Sequence, residues 1–234
     1  MSRILGPGRP PTFRDPGAAE GAGYVLAVAG ILVACGLVLH PLPSGGFAER
    51  ATILAGTPLW GAIHMAIAAG FVLSALGGLL MLLAGGPRRH WSERVAWGSI
   101  VVGMIFFTGV AMINAWVMHP LSEAVAMGAD PRVFDAFNRL LVGYGWLGNP
   151  LFLAGLTTIA TLEVHDRAVG LPAWLAWAGL IVVLLSWLRG VGSATGLFFL
   201  EPLVLANVPA FLWFGWYGLA VGRRARSSGD PVGQ

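Results

Sequence analysis

Apolar residues in this chain come in long blocks, not in the three-to-four-residue stripes of an amphipathic helix or the alternation of a half-buried strand. Six blocks stand out: Gly21–His40, Pro58–Ala84, Val95–His119, Leu140–Leu162, Ala173–Val191 and Gly196–Val221. Each reaches or exceeds the roughly 18 residues that suffice for a bilayer span. The pattern predicts an all-α fold, a polytopic membrane helix bundle of about six transmembrane helices arranged as three hairpins.

Polar punctuation sets the expected boundaries. Proline stops the first and third helices at His40-Pro41 and His119-Pro120, and Gly85-Gly86-Pro87-Arg88-Arg89-His90 stops the second. Asn149-Pro150 predicts a kink inside the fourth helix. Ser122–Asn138 reads as the longest internal loop, with a short interfacial helix over Val133–Leu141. A Pro/Gly/Arg-rich tail over residues 1–20 precedes the spanning domain, residues 21–222, and a basic tail over residues 223–234 follows it. A loose hairpin repeat shows in His40-Pro41-Leu42 against His119-Pro120-Leu121, and in Asn149-Pro150-Leu151 against Asn207-Val208-Pro209.

Composition narrows the environment. Hydrophobic residues make up 56% and charged residues 11%, where a soluble domain carries about a quarter charged. All 14 basic residues are arginine, which excludes Schiff-base, phosphate-loop and other lysine chemistry and fits a GC-rich genome. Ten arginines (Arg3, Arg9, Arg14, Arg88, Arg89, Arg94, Arg167, Arg223, Arg224 and Arg226) fall on one side of the spans and four (Arg50, Arg132, Arg139 and Arg189) on the other. The positive-inside rule then places both termini in the cytoplasm, with the chain multi-pass in a bacterial cytoplasmic (inner) membrane. Its expected partners are the lipid bilayer and other membrane protein subunits, with no nucleic acid.

Cys35 is the only cysteine, so an intrachain disulfide and a cysteine metal cluster are excluded. Leu32-Val33-Ala34-Cys35 has the form of a lipoprotein cleavage box, but the apolar run continues to Leu39 and Cys35 reads as a small buried residue. The aromatic run Phe211–Tyr217 reads as a lipid-facing belt, with a pigment or quinone contact as the alternative.

Candidate chemistry gathers on the side away from the termini. His40 and His119 end helices there, His64 and Asn114 lie just inside the apolar layer, and Arg139, Arg189 and Glu201 share that side. Arg189 and Glu201 are expected to form a buried ion pair. The opposite half of the span reads as nearly free of ionisable groups, with His90 and His165 in solvent-facing turns. His40, His64 and His119 on three helices are candidate metal ligands for copper or zinc, with Met65, Met112 and Met118 as thioether ligands to copper(I). His64 and His119 are the pair for a haem b. The same histidines also suit a purely structural role as wetted helix ends and interhelical hydrogen-bonding groups.

No phosphate-binding loop, Gly-x-Ser-x-Gly elbow or His-Glu-x-x-His motif is present. The first functional expectation is a subunit of a larger, redox or energy-transducing membrane complex, holding a metal or haem near its outer face and without catalytic activity of its own. The second is a stand-alone metal or small-molecule carrier using the outer histidines. The third is a membrane enzyme with an outer-face site around His64 and Glu201.

Overall fold

The computed structural model of the protein describes residues 13–41, 47–87, 91–195 and 197–229, without the side chains of Phe47, Ser193, Ala194, Phe198 and Glu201. Helices account for almost all of it, and no strand occurs among the described residues. In chain order they are α1 Pro16–Leu39, α2 Phe47–Ala55, α3 Trp60–Ala84, α4 Trp91–Ile113, a π-helical turn Asn114–Met118, α5 His119–Ala126, α6 Arg132–Asp166, α7 Ala173–Thr195, a 3-10 segment Phe198–Ala206 and α8 Asn207–Gly229. Six of these helices are long and apolar enough to cross a membrane, with α4, the π turn and α5 forming one continuous span. The bundle is a multi-pass membrane fold.

Each spanning helix packs on its neighbour in the chain, and α8 returns to lie along α1, which closes the ring. The α1–α8 seam is close. A Cβ on Gly23 would stand 2.5 Å from the carbonyl oxygen of Gly218 and 2.7 Å from the Cα of Gly222. Between apolar helices in lipid, van der Waals contact supplies the attraction, and small residues allow the backbones this close. Inside the ring, Phe152 of α6 stacks on Phe211 of α8 at 5.0 Å and 9° between planes. Trp97 of α4 lies 6.0 Å from Phe214.

Several expectations change on contact with the structure. The aromatic run is core: Phe211, Trp213, Phe214 and Tyr217 are buried, and only Leu212 and Trp216 in that run face outward. Spacings of two, three and four residues put one face of a helix inward, which a composition-based reading of a dense aromatic run misses. Cys35 faces outward, contrary to its expected burial. The helix before Pro120 does not stop there. It passes through the π turn and continues as α5, and the wider register immediately precedes a residue whose missing N–H and bulky ring the α register tolerates poorly. His40-Pro41 does terminate α1, so the two His-Pro-Leu segments serve different backbone roles.

Pro150 lies inside α6, which runs unbroken for 35 residues and absorbs the expected interfacial helix. Helix α1 starts within the expected tail, because Asp15 caps it by accepting from the Ala18 N–H at 3.0 Å, with Pro16 in the first turn.

The half of the bundle nearer the termini does hold ionisable groups. Glu93 and Glu163 are 1% and 0% exposed. Glu163 folds over the turn between α6 and α7, where its two carboxylate oxygens accept from the Val169 N–H at 3.4 Å and the Leu171 N–H at 3.3 Å. Gly86, at φ +66°, makes room for Glu93: a Cβ there would lie 2.8 Å from the Glu93 carboxyl carbon. Both glutamates sit near helix ends in sequence, where they look solvated. Tertiary packing covers them.

Candidate functional site

On the side of the bundle opposite the termini, the helices do not close on one another. A cavity of about 510 Å³ lies among α2, α3, α4, α6, α7 and the start of α8, a volume in the range of small-molecule sites. Its wall combines two chemistries. Trp60, Phe107, Phe134, Trp146 and Trp187 supply aromatic surface. Arg50, Arg189, His40, Asn114, Asn138, Asn149 and Asn207 supply polar groups. Among the described residues that line it, none is Asp or Glu.

Irregular backbone places two of these groups, Asn114 and Asn207. Asn149 sits one residue before Pro150 within the continuous α6, and Asn207 begins α8 directly after the 3-10 segment. These are the two positions of the Asn-Pro half of the loose repeat, and both open onto the cavity. Asn114 begins the π turn and donates its amide to the Val110 carbonyl at 3.1 Å. Trp187 is fixed by an indole N–H bond to the Thr157 hydroxyl at 3.1 Å.

At one edge of the cavity, His40 belongs to an imidazole pair with the buried His64. The ring nitrogens Nε2 of His40 and Nε2 of His64 face each other at 3.2 Å. His64 Nδ1 donates to the Trp60 carbonyl at 2.9 Å, and His40 Nδ1 donates to the Pro41 carbonyl. Trp60 lies against both, its ring 4.8 Å from His40 and 4.3 Å from His64 between centroids. The Trp60 indole N–H donates to the Asn114 carbonyl at 3.0 Å, which ties α3 to the π turn. His64 is 3% exposed. Burial holds the imidazole of His40, just beyond the end of α1, below its ordinary value, against the opposing effect of the Pro41 hydrogen bond.

His119 has a different setting. Its Nδ1 lies 3.9 Å from a Glu123 carboxylate oxygen one turn along α5, and its Nε2 is buried without a hydrogen-bond partner among the described residues. Among the described residues no group of three His, Cys, Asp or Glu is placed to hold a metal ion. The structure therefore brings together His40 and His64 of the three histidines. Met118 lines the cavity, whereas Met65 and Met112 are exposed. Arg189 is on the cavity wall, and the Glu201 side chain, its expected partner, lies outside the described residues. Arg139 pairs with Asp135 at 3.0 Å on α6.

Sequence reasoning singled out His40, Asn114 and Arg189 but not Arg50, the other asparagines or the tryptophans. Asn149 and Asn207 carried a signal in the repeat. The tryptophans did not, since interfacial Trp is ordinary in membrane helices. No family model, curated protein or solved structure matches this chain.

Proposed function

We propose that this protein binds a small anionic molecule with an apolar body, in the cavity at the face away from its termini. The observation that carries this is the make-up of the wall: two guanidinium groups and four asparagines beside aromatic surface. Guanidinium forks and amide N–H groups match carboxylate or phosphate oxygens, and in a low-dielectric setting such bonds gain strength. Aromatic walls suit the apolar remainder of an amphiphile. This is the carrier or receptor class, with the histidine edge as part of the same site.

The arginine distribution supports a bacterial cytoplasmic membrane with cytoplasmic termini, so that the cavity faces outward. A reporter fused after Arg226 is expected to be active only in the cytoplasm, and one inserted near Ala129 only outside. The opposite pattern would put the cavity on the inner side.

Binding is tested in nanodiscs by calorimetry, with empty nanodiscs as the partition control. Dodecyl phosphate is expected to bind saturably at one per chain, and dodecyltrimethylammonium only as it does to empty discs. Arg189→Gln and Arg50→Gln should each weaken the phosphate about tenfold, near 1.4 kcal/mol. Equal, unsaturable uptake of both amphiphiles would sink the proposal. A stoichiometric copurifying chain together with no saturable binding would favour the complex-subunit function instead.

A further inference from the structure

The imidazole pair has a feature that hydrogen bonding between two neutral rings does not satisfy. A carbonyl oxygen can only accept, so Nδ1 of His64, bonded to the Trp60 carbonyl, carries its hydrogen, and so does Nδ1 of His40, bonded to the Pro41 carbonyl. In the neutral rings both Nε2 atoms then carry bare lone pairs, and they stand 3.2 Å apart. Two lone pairs at that distance repel. A positive centre between them turns the repulsion into attraction.

We propose that His40 and His64 form a two-histidine site for one divalent transition-metal ion of the zinc type, with the remaining coordination positions filled by water or ligand from the cavity. Four features support it. Metal-bound histidines characteristically donate the other ring nitrogen to a carbonyl or carboxylate, which fixes tautomer and ring orientation, and both rings do so here. A gap of 3.2 Å spanned by two metal–nitrogen bonds of about 2.0–2.1 Å gives an angle of roughly 100°, near tetrahedral. Linear copper(I) and the trans positions of haem iron both require nitrogens about 4 Å apart, twice the bond length, so the spacing selects against them. The Trp60 ring packs against both imidazoles and is held by its bond to Asn114, which fixes the rings in place.

His40 and Trp60 also line the cavity, so the ion is reachable from it. Two protein ligands leave positions open, the arrangement of a reactive rather than a structural site. The site does not rest on the anionic occupant proposed for the cavity, and either can fail alone.

The test uses the full chain, purified in neutral detergent without a polyhistidine tag, and titrated with cobalt(II) as a visible stand-in for zinc(II). The expected result is an absorption band of four-coordinate strength that saturates at one equivalent and is bleached by zinc(II). His40→Gln and His64→Gln should abolish it, and His119→Gln should leave it intact. The wild-type titration decides by itself if a variant fails to fold. No band, or only the weak band of octahedral cobalt, would mean that a shared proton occupies the pair, and the metal site would be withdrawn. Loss of the band in folded His119→Gln would overturn the two-histidine site in favour of a larger one.

Discussion

Gly23→Val is expected to prevent assembly of the bundle or to lower its thermal midpoint in detergent markedly. The atoms a Cβ would meet are backbone: the Gly218 oxygen at 2.5 Å, with the Cα and N of Gly222 at 2.7 Å. No side-chain rotation relieves such a clash, so α1 and α8 must separate. Overpacking commonly costs about 1–3 kcal/mol, and a displaced helix pair at the ring closure belongs at or above the top of that range. Gly30, seven residues on, repeats the geometry against Phe211 and Gly215 of α8, so Gly30→Val should behave alike. Gly21→Ala supplies the contrast. Nothing lies within 4 Å of its added carbon, and relief of glycine's helix penalty should stabilise by roughly 0.4–1 kcal/mol. Melting curves of the three variants read the difference directly, and a Gly23→Val protein that melts with the wild type would refute the close seam.

Glu163→Leu is expected to be nearly as damaging, through a different cause. Glu163 is wholly buried and its carboxylate holds the Val169 and Leu171 N–H groups across the α6–α7 turn. Its own backbone carbonyl accepts from Arg167, the non-glycine residue at positive φ that ends α6. Leucine removes both acceptors and leaves two inward amides unsatisfied, at about 1–3 kcal/mol each. Glutamine keeps one oxygen and turns an NH₂ toward the other amide, so its cost should be intermediate. Hydrogen exchange at Val169 and Leu171 should accelerate while amides near Phe214 in the core of α8 stay protected. Unchanged protection in a folded Glu163→Leu protein would show that the carboxylate does not hold the turn.

The two sides of the membrane differed in how much of their chemistry could be read from the chain. Histidines, an asparagine and arginines inside apolar blocks are conspicuous because ionisable groups are rare in such blocks, and His40, Asn114 and Arg189 do meet at the cavity. Glu93 and Glu163 escaped notice because each stands within a few residues of a charged turn, where solvation is the ordinary outcome. Their burial comes from neighbours distant in sequence. His119 looked equivalent to His40 because both precede proline. The backbone distinguishes them: Pro41 ends a helix, while Pro120 follows a π turn and opens another.

Element type and environment follow from the chain alone, because twenty consecutive apolar residues can satisfy their backbone in lipid only as a helix, whatever they pack against. Six spans and a bilayer-facing exterior needed no knowledge of contacts. Which face of each helix turns inward was a different matter, since blocks that are apolar all round carry almost no periodic signal to orient them. Only tertiary packing decided that Phe211, Phe214 and Tyr217 are core, that Gly23 and Gly30 seat α1 on α8, and that two imidazoles from α3 and the end of α1 face each other at 3.2 Å. In lipid the hydrophobic effect does not distinguish an inward apolar face from an outward one. The choice falls to shape and to a few hydrogen bonds, both of which exist only once the helices have met.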